Sequence, residues 1–342
     1  MNKKTKKTVK NLIIFILLII LTFYIILKDQ DVTEIFKVLE DVKILYILIA
    51  IICMLIYIIC EAINIRRTLK VLGEETTLIS SVKYALIGFF FSSITPAASG
   101  GQPMQIYYMY KDKISVAHST LALLINLSSM QIVTISIALI SIMFNHHYLN
   151  QTLIILFILG ISLNASALTL LLIAIFSKRL LNKLIDFAIK IMKKFKIKNI
   201  EEKQMKIEAE VSKYQNSSDY IKNNKFVIFN IILTTYIQFI LFYSVSYWVY
   251  CSFGLNEYNI MQIVSIQAIL FATVSGIPSP GAVGVTEGGY IEIFKTIIPN
   301  NIINSAMLLN RGINFYLLVI LSGIVTLINM TKTKKMLKKN EL

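Results

Sequence analysis

The sequence predicts an all-α polytopic integral membrane protein. About six spanning helices, two opposed re-entrant broken hairpins forming an inverted repeat, and two cytoplasmic termini are expected. Three observations predict this. Hydrophobic residues make up 56% of the 342 and charged residues only 15%, with a mean hydropathy of +0.69. Apolar runs of about 20 residues, enough to cross roughly 30 Å of hydrocarbon, cover residues 11–27, 44–64, 116–144, 153–176, 226–250 and 303–330. Two loops, Thr95-Pro-Ala-Ala-Ser-Gly-Gly-Gln-Pro103 and Gly276-Ile-Pro-Ser-Pro-Gly-Ala-Val-Gly-Val-Thr-Glu-Gly-Gly289, hold four of the five prolines and seven of the thirteen glycines.

The first run follows Lys3, Lys4, Lys6, Lys7 and Lys10 and ends at Leu27-Lys28-Asp29 without an A-x-A site. A retained first span is therefore expected, not a cleaved signal. The five lysines place the N-terminus inside by the positive-inside rule. Residues 28–43, with three basic and five acidic side chains, suit the outer face. The second span returns to Arg66-Arg67 and Lys70. Residues 80–110 then read as a re-entrant hairpin opening inward around the first loop. The third span runs out to His146-His147, and the fourth returns to Lys178-Arg179.

Residues 177–225 are the longest polar stretch, with thirteen basic and six acidic residues. No independent soluble catalytic domain is expected from a segment this short. Leu181, Leu184, Ile185, Ala188, Ile191, Met192 and Phe195 share one helical face, with lysines off it. This reads either as a helix on an anionic inner membrane surface or as a plain cytoplasmic connector between two halves. The fifth span runs outward. A second hairpin over residues 259–298 opens outward, and the sixth span ends among Lys332, Lys334, Lys335, Lys338 and Lys339. The net charge of +15 is thus an orientation signal and not a nucleic-acid footprint.

Chemistry concentrates at the two breaks. Broken backbone at bilayer depth must be satisfied by protein or by a wet cavity. A matched pair of interrupted segments points to a transporter-like site. Pro96-x-x-x-Gly100 matches Pro280-x-x-x-Gly284, with Gln102 and Glu287 beyond. Glu287, ionisable within a hydrophobic hairpin, needs a partner. Arg311, about eleven residues past the outer turn at Pro299 and so roughly 16 Å deep, is the expected one. Asn310 and Asn314, one turn apart, would line the same region. The pair could serve a substrate or simply lock the hairpin. Gly100, Gly101, Gly281 and Gly284 could let an anionic phosphate approach half-helix N-termini. Gly284-x-x-x-Gly288 suits helix packing equally well. Neither loop is a Walker motif, because the lysine is missing.

Glu61 and Lys83 read as interface markers. Gln131, Gln238 and Gln267 read as interhelical hydrogen bonders. Cys53, Cys60 and Cys251 read as buried thiols, and His146-His147 as a solvated turn. No metal and no cofactor are expected.

Pro96 to Pro103 followed by Tyr107, and Pro278 to Glu287 followed by Arg311, resemble the lysylphosphatidylglycerol synthase transmembrane, or flippase-like, family. That family is similar to the N-terminal membrane region of multiple peptide resistance factor. The resemblance covers roughly residues 10–330. It departs at Gly101-Gln102 and Met104-Gln105, where many relatives carry Gly-Glu and an arginine. It implies a translocase for a phospholipid such as lysyl-phosphatidylglycerol, in the bacterial cytoplasmic membrane. Cationic antimicrobial peptide resistance is the implied context. The implied substrate is an anionic or aminoacylated phosphatidylglycerol, held by Pro96, Gly100, Gly101, Gln102, Pro280, Gly281, Gly284, Glu287, Asn310 and Arg311. The alternatives are a lysyltransferase that uses lysyl-tRNA, the one case with a nucleic-acid partner, or a partner subunit of such an enzyme. Candidate protein partners are a second copy of the chain or a separate synthase. With twelve residues after the last span, a single transmembrane domain without a soluble transferase domain is expected.

Overall fold

A computed structural model describes residues 39–95, 98–145, 149–179, 200–277 and 280–340, with 183 and 190 as isolated positions. The expected first span, Pro96, Pro278, the His146-His147 turn and most of the amphipathic stretch after Arg179 lie outside the described residues. No strand occurs among the described residues. Among the described residues eleven helices follow in order: α1 Ile44–Val71, α2 Leu78–Ser93, α3 Gly101–Lys111, α4 Val116–Asn145, α5 Gln151–Phe176, α6 Ile200–Asn223, α7 Lys225–Ser252, α8 Ile260–Val274, α9 Val285–Phe294, α10 Ile303–Arg311 and α11 Leu317–Asn340. A 3₁₀ turn, Pro280–Ala282, precedes α9, and a π-helical turn, Gly312–Tyr316, joins α10 to α11. Among the described residues five helices are long and apolar enough to cross a membrane: α1, α4, α5, α7 and the continuous run Ile303–Met330.

Side-chain caps start the helices where the sequence supplies them. Thr77 accepts from Ser80 N at α2, and Asn150 accepts from Leu153 N at α5. Asn259 and Gln262 exchange 3.0 Å bonds as a capping box at α8. Helix α1 outlasts its apolar run, which stops at Asn64, and continues through the expected end at Arg66-Arg67 to Val71, where α7 supplies acceptors. Arg67 Nη1 donates to Asn230 O and to Thr234 Oγ1, both at 2.9 Å.

The α1–α7 pair forms the spine. Lys43 N donates to Ser252 O, Tyr46 stacks on Trp248, Tyr57 meets Phe242, and Asn64 Nδ2 donates to Thr235 Oγ1 at 3.0 Å. Rising numbers on α1 meet falling numbers on α7, so the two 28-residue helices run antiparallel. Each precedes a helical hairpin: α2 and α3 follow α1, and α8 and α9 follow α7. The helix after each hairpin packs on the other hairpin's leading arm, α4 on α8 and α11 on α2.

The hairpins are also packed reciprocally. In the first, Gly88 on the leading arm abuts Gln105 on the returning arm. In the second, Leu270 leads and Gly289 returns, with 2.8 Å between Leu270 Cδ1 and a Cβ built on Gly289. Lys83, expected as an interface marker, is tied by its ammonium to Asp112 at the base of the first hairpin. Tyr84 OH donates to the same carboxylate at 2.5 Å.

Helix α6 straps the ends of its neighbours. Glu210 Oε2 accepts from Ala117 N at 2.9 Å and from Ser115 Oγ at 3.2 Å, satisfying donors at the start of α4. Tyr214 OH and Ser218 Oγ donate to Ala174 O and Ile175 O, which are free carbonyls at the end of α5. Burial pushes the Tyr214 phenol up to about 12, so it stays a donor at neutral pH.

Helix α5 meets the end of α8 at Gly160, where a Cβ would overlap Ala272 O and lie 2.8 Å from Thr273 O. Asn164 Nδ2 then reaches Ala272 O at 3.2 Å and Ser275 Oγ at 3.1 Å, satisfying groups at the break. Gly160→Val is expected to lower stability by about 1–3 kcal/mol, because backbone cannot yield as a side chain does. Thermal unfolding of the purified chain checks this. An unchanged midpoint would mean that α5 does not depend on this close approach.

Candidate functional site

The second break is built around a buried ion pair. Helix α8 ends at Val274, and the chain turns through Gly281 (φ 60°) and Gly284 (φ 87°), both in the left-handed region that favours glycine. Gly281 is also sterically required, since a Cβ there would overlap the Phe315 ring. Gly284 N donates to Glu287 Oε2 at 2.7 Å, so the carboxylate caps the start of its own helix, α9.

Glu287 is 0% exposed. Its Oε1 accepts from Arg311 Nε at 2.8 Å and from Tyr316 OH at 3.1 Å. Arg311 Nη2 donates to Gly281 O at 3.2 Å, and its guanidinium lies 4.2 Å from the centre of the Phe315 ring. The pairing expected from sequence therefore exists, and both charges are hydrogen-bonded within the protein. Arg311 bridges the last membrane helix to the carbonyl of the break. This arrangement fixes loop shape, and it directs the Nε and Nη2 donors of Arg311 inward.

The π-helical turn explains why Tyr316 joins the site. A π turn closes i to i+5, so Arg311 and Tyr316 share a face, with Phe315 beside them. Sequence reading missed both aromatics. Their only signal was an aromatic pair four and five residues after Arg311.

The other expected residues divide. Asn310 turns to different partners: Ser246 Oγ donates to its Oδ1 at 3.3 Å and to Gln267 Oε1 at 2.8 Å, joining α7, α8 and α10. Asn314 Oδ1 is buried without a hydrogen-bond partner among the described residues. Pro280 and Gly284 are half-buried at the break. Gly288 has open space where a Cβ would go, so close packing runs through Gly289 instead.

In the first break, Thr95 Oγ1 donates to Phe91 O at 2.6 Å and accepts from Gly100 N at 2.9 Å, bridging the end of α2 to the start of α3. Gly101 is buried, with a Cβ position that would overlap Ser92 Oγ. Gln102 is half-buried on the first turn of α3. The two halves meet where Phe89 of α2 packs 6.1 Å from Phe315, the ring that covers Gly281. Among the described residues no cluster of His, Cys, Asp and Glu is arranged to hold a metal.

The family described as "Lysylphosphatidylglycerol synthase TM region" matches residues 11–322. The chain belongs to this family. The match encloses both breaks, the α1–α7 spine and the Glu287–Arg311 pair, so all of these lie within the family's membrane region. With its apolar helices, membership makes this a multi-pass membrane protein. No curated protein matches the chain.

Polar clusters outside the two breaks also escaped sequence reading. His118 Nδ1 lies 2.6 Å from Glu74 Oε1, and Lys213 Nζ lies 3.7 Å from the same oxygen. These residues are far apart in sequence, and only the fold brings them together.

Proposed function

We propose that this chain is a flippase-like translocase of the bacterial cytoplasmic membrane. Its substrate would be an anionic or aminoacylated phospholipid such as lysyl-phosphatidylglycerol. The two hairpins would be re-entrant and would form an inverted repeat, with the headgroup passing between their breaks. The observation that carries the reading is the antiparallel α1–α7 pair, with α4 and α11 exchanged onto each other's hairpin. Two equivalent units of opposite direction are the architecture in which alternating access moves a ligand past a central site. The half-buried parts of the breaks, Gly100, Gln102, Pro280 and Gly284, would offer backbone and amide contacts. The Glu287–Arg311 pair would hold the second break in shape during transport.

The test is leaflet exposure of headgroup-labelled phosphatidylglycerol in proteoliposomes. Exposure should be at least tenfold faster than in protein-free vesicles. An equal rate with confirmed insertion would remove the translocase reading. The word "synthase" in the family description favours a second reading, lysine transfer from lysyl-tRNA. The same vesicles supplied with lysyl-tRNA and phosphatidylglycerol test it. Lysyl-lipid formed by the purified chain would replace the translocase reading with an enzyme.

A further inference from the structure

The geometry points to a binding site for the phosphodiester of an anionic phospholipid at Arg67, in the groove between α1 and α7. It deepens the translocase reading, on which it rests only for what becomes of the lipid afterwards.

Three arginines lie within the long membrane helices α1 and α10–α11. Arg66 is exposed with its Nε donating to Thr76 O at 3.2 Å, and the guanidinium groups of Arg67 and Arg311 are used in opposite ways. Arg311 spends Nε on Glu287 and Nη2 on Gly281 O. Arg67 directs all three of its hydrogen bonds from the remaining nitrogen. The two N–H groups of its Nη1 are shared among three acceptors, Asn64 Oδ1 at 2.8 Å and Asn230 O and Thr234 Oγ1 at 2.9 Å each. All three acceptors are uncharged. Among the described residues no carboxylate lies within ion-pair distance of Arg67, and its Nε and Nη2 donors carry no hydrogen bond.

The result is a half-buried cation held in one orientation with its Nε–Nη2 side open. A guanidinium grips phosphate by such paired donors, and a fixed one loses little freedom on binding. A merely snorkelling arginine would keep its head in water with no fixed partners. Three protein oxygens on one nitrogen are a different arrangement.

Height along the helix identifies the anion. Arg67 lies 23 residues after Ile44, roughly 35 Å along α1, against about 30 Å of hydrocarbon. This places the guanidinium level with lipid phosphates. The exposed Lys70 and Lys225, on the adjoining ends of α1 and α7, add positive charge at the same rim. A phospholipid can lay its chains along the exposed apolar faces of these helices, at Ile59, Phe229 and Leu233, and present its phosphate to Arg67.

The test titrates the purified full chain in detergent with phosphatidylglycerol, with diacylglycerol of the same chains, and with inorganic phosphate. Bound lipid is counted by native mass spectrometry, and the unfolding midpoint is followed in parallel. Phosphatidylglycerol should bind and raise the midpoint, while the other two should do neither. Arg67→Lys keeps the charge and loses the paired donors, so its affinity should fall about tenfold, one charge-assisted hydrogen bond's worth. Arg67→Gln should fall further. If Arg67→Gln does not fold, Arg67→Lys carries the test.

Equal affinity in Arg67→Lys and wild type would overturn the paired-donor site. Equal protection by diacylglycerol would overturn phosphate recognition. Equal protection by inorganic phosphate would make it a free-anion site. Binding needs no transport: lipid bound through Arg67 without leaflet exposure would sink the translocase reading alone, and transport with no loss of binding in the variants would sink this one alone.

Discussion

Glu287→Gln is expected to cost about 3–5 kcal/mol of unfolding free energy, the usual cost of removing one partner of a buried ion pair. The variant side chain keeps the shape and can still accept from Gly284 N or Tyr316 OH, but it leaves Arg311 charged, 6% exposed and without its anion. A guanidinium cannot shed its proton, so the cost cannot be avoided by neutralisation. Arg311→Leu should cost less, nearer 3 kcal/mol. Glu287 then keeps bonds of 2.7 and 3.1 Å from Gly284 N and Tyr316 OH, and a carboxyl can take up a proton. The double variant Glu287→Gln, Arg311→Leu should lose clearly less than the sum of the singles, because no unpaired charge remains. A double-mutant cycle by denaturant unfolding in detergent measures this. Additive losses would mean that the two charges do not stabilise one another, whatever their separation. Leaflet exposure measured on the same proteins separates the pair's structural part from any direct contact with substrate. A double variant that recovers stability without recovering transport would assign the charges to the substrate as well.

What the sequence disclosed followed from properties that are local along the chain. Long apolar runs located α4, α5 and α7 within two residues of their ends, because no Asp, Glu, Lys or Arg interrupts them. The clustered glycines and prolines located both breaks, because few other residues tolerate φ values such as those at Gly281 and Gly284. Glu287 and Arg311 could be paired because each was an ionisable group in apolar surroundings with one obvious complement. What stayed hidden depends on contacts between distant segments. Helix α1 outran its apolar stretch because Asn230 and Thr234, more than 160 positions away, satisfy Arg67. Tyr316 reached Glu287 only through a π-helical turn, which shifts the register by one residue and leaves no composition mark. Helix α6 looked like a solvated connector because Glu210, Tyr214 and Ser218 are ordinary surface residues until they meet the ends of α4 and α5.

Gly281→Ala is the second large expected effect, and it separates two reasons for a glycine. One is conformational: φ is 60°, which costs a non-glycine residue roughly 1–2 kcal/mol. That alone does not forbid alanine here, since Ala282 adopts φ 51° next door and Ala98 adopts φ 53° in the first break. The other reason is the Phe315 ring, whose Cε2 lies 3.0 Å from the ideal Cβ position and whose tip overlaps it. Phe315 cannot swing away freely, because it packs on Phe89 and lies under the Arg311 guanidinium. Relief must come from the loop, which would draw Gly281 O away from Arg311 Nη2. The combined loss should be about 2–4 kcal/mol, conformational strain plus overpacking, with slower leaflet exposure. Placed in a Phe315→Leu background, the same substitution should cost only about 1 kcal/mol, because the ring is gone and the φ term remains. If Gly281→Ala costs as much beside Leu as beside Phe, the ring is not what excludes a side chain, and the second break is coupled to the last helix through Arg311 and Tyr316 rather than through Phe315.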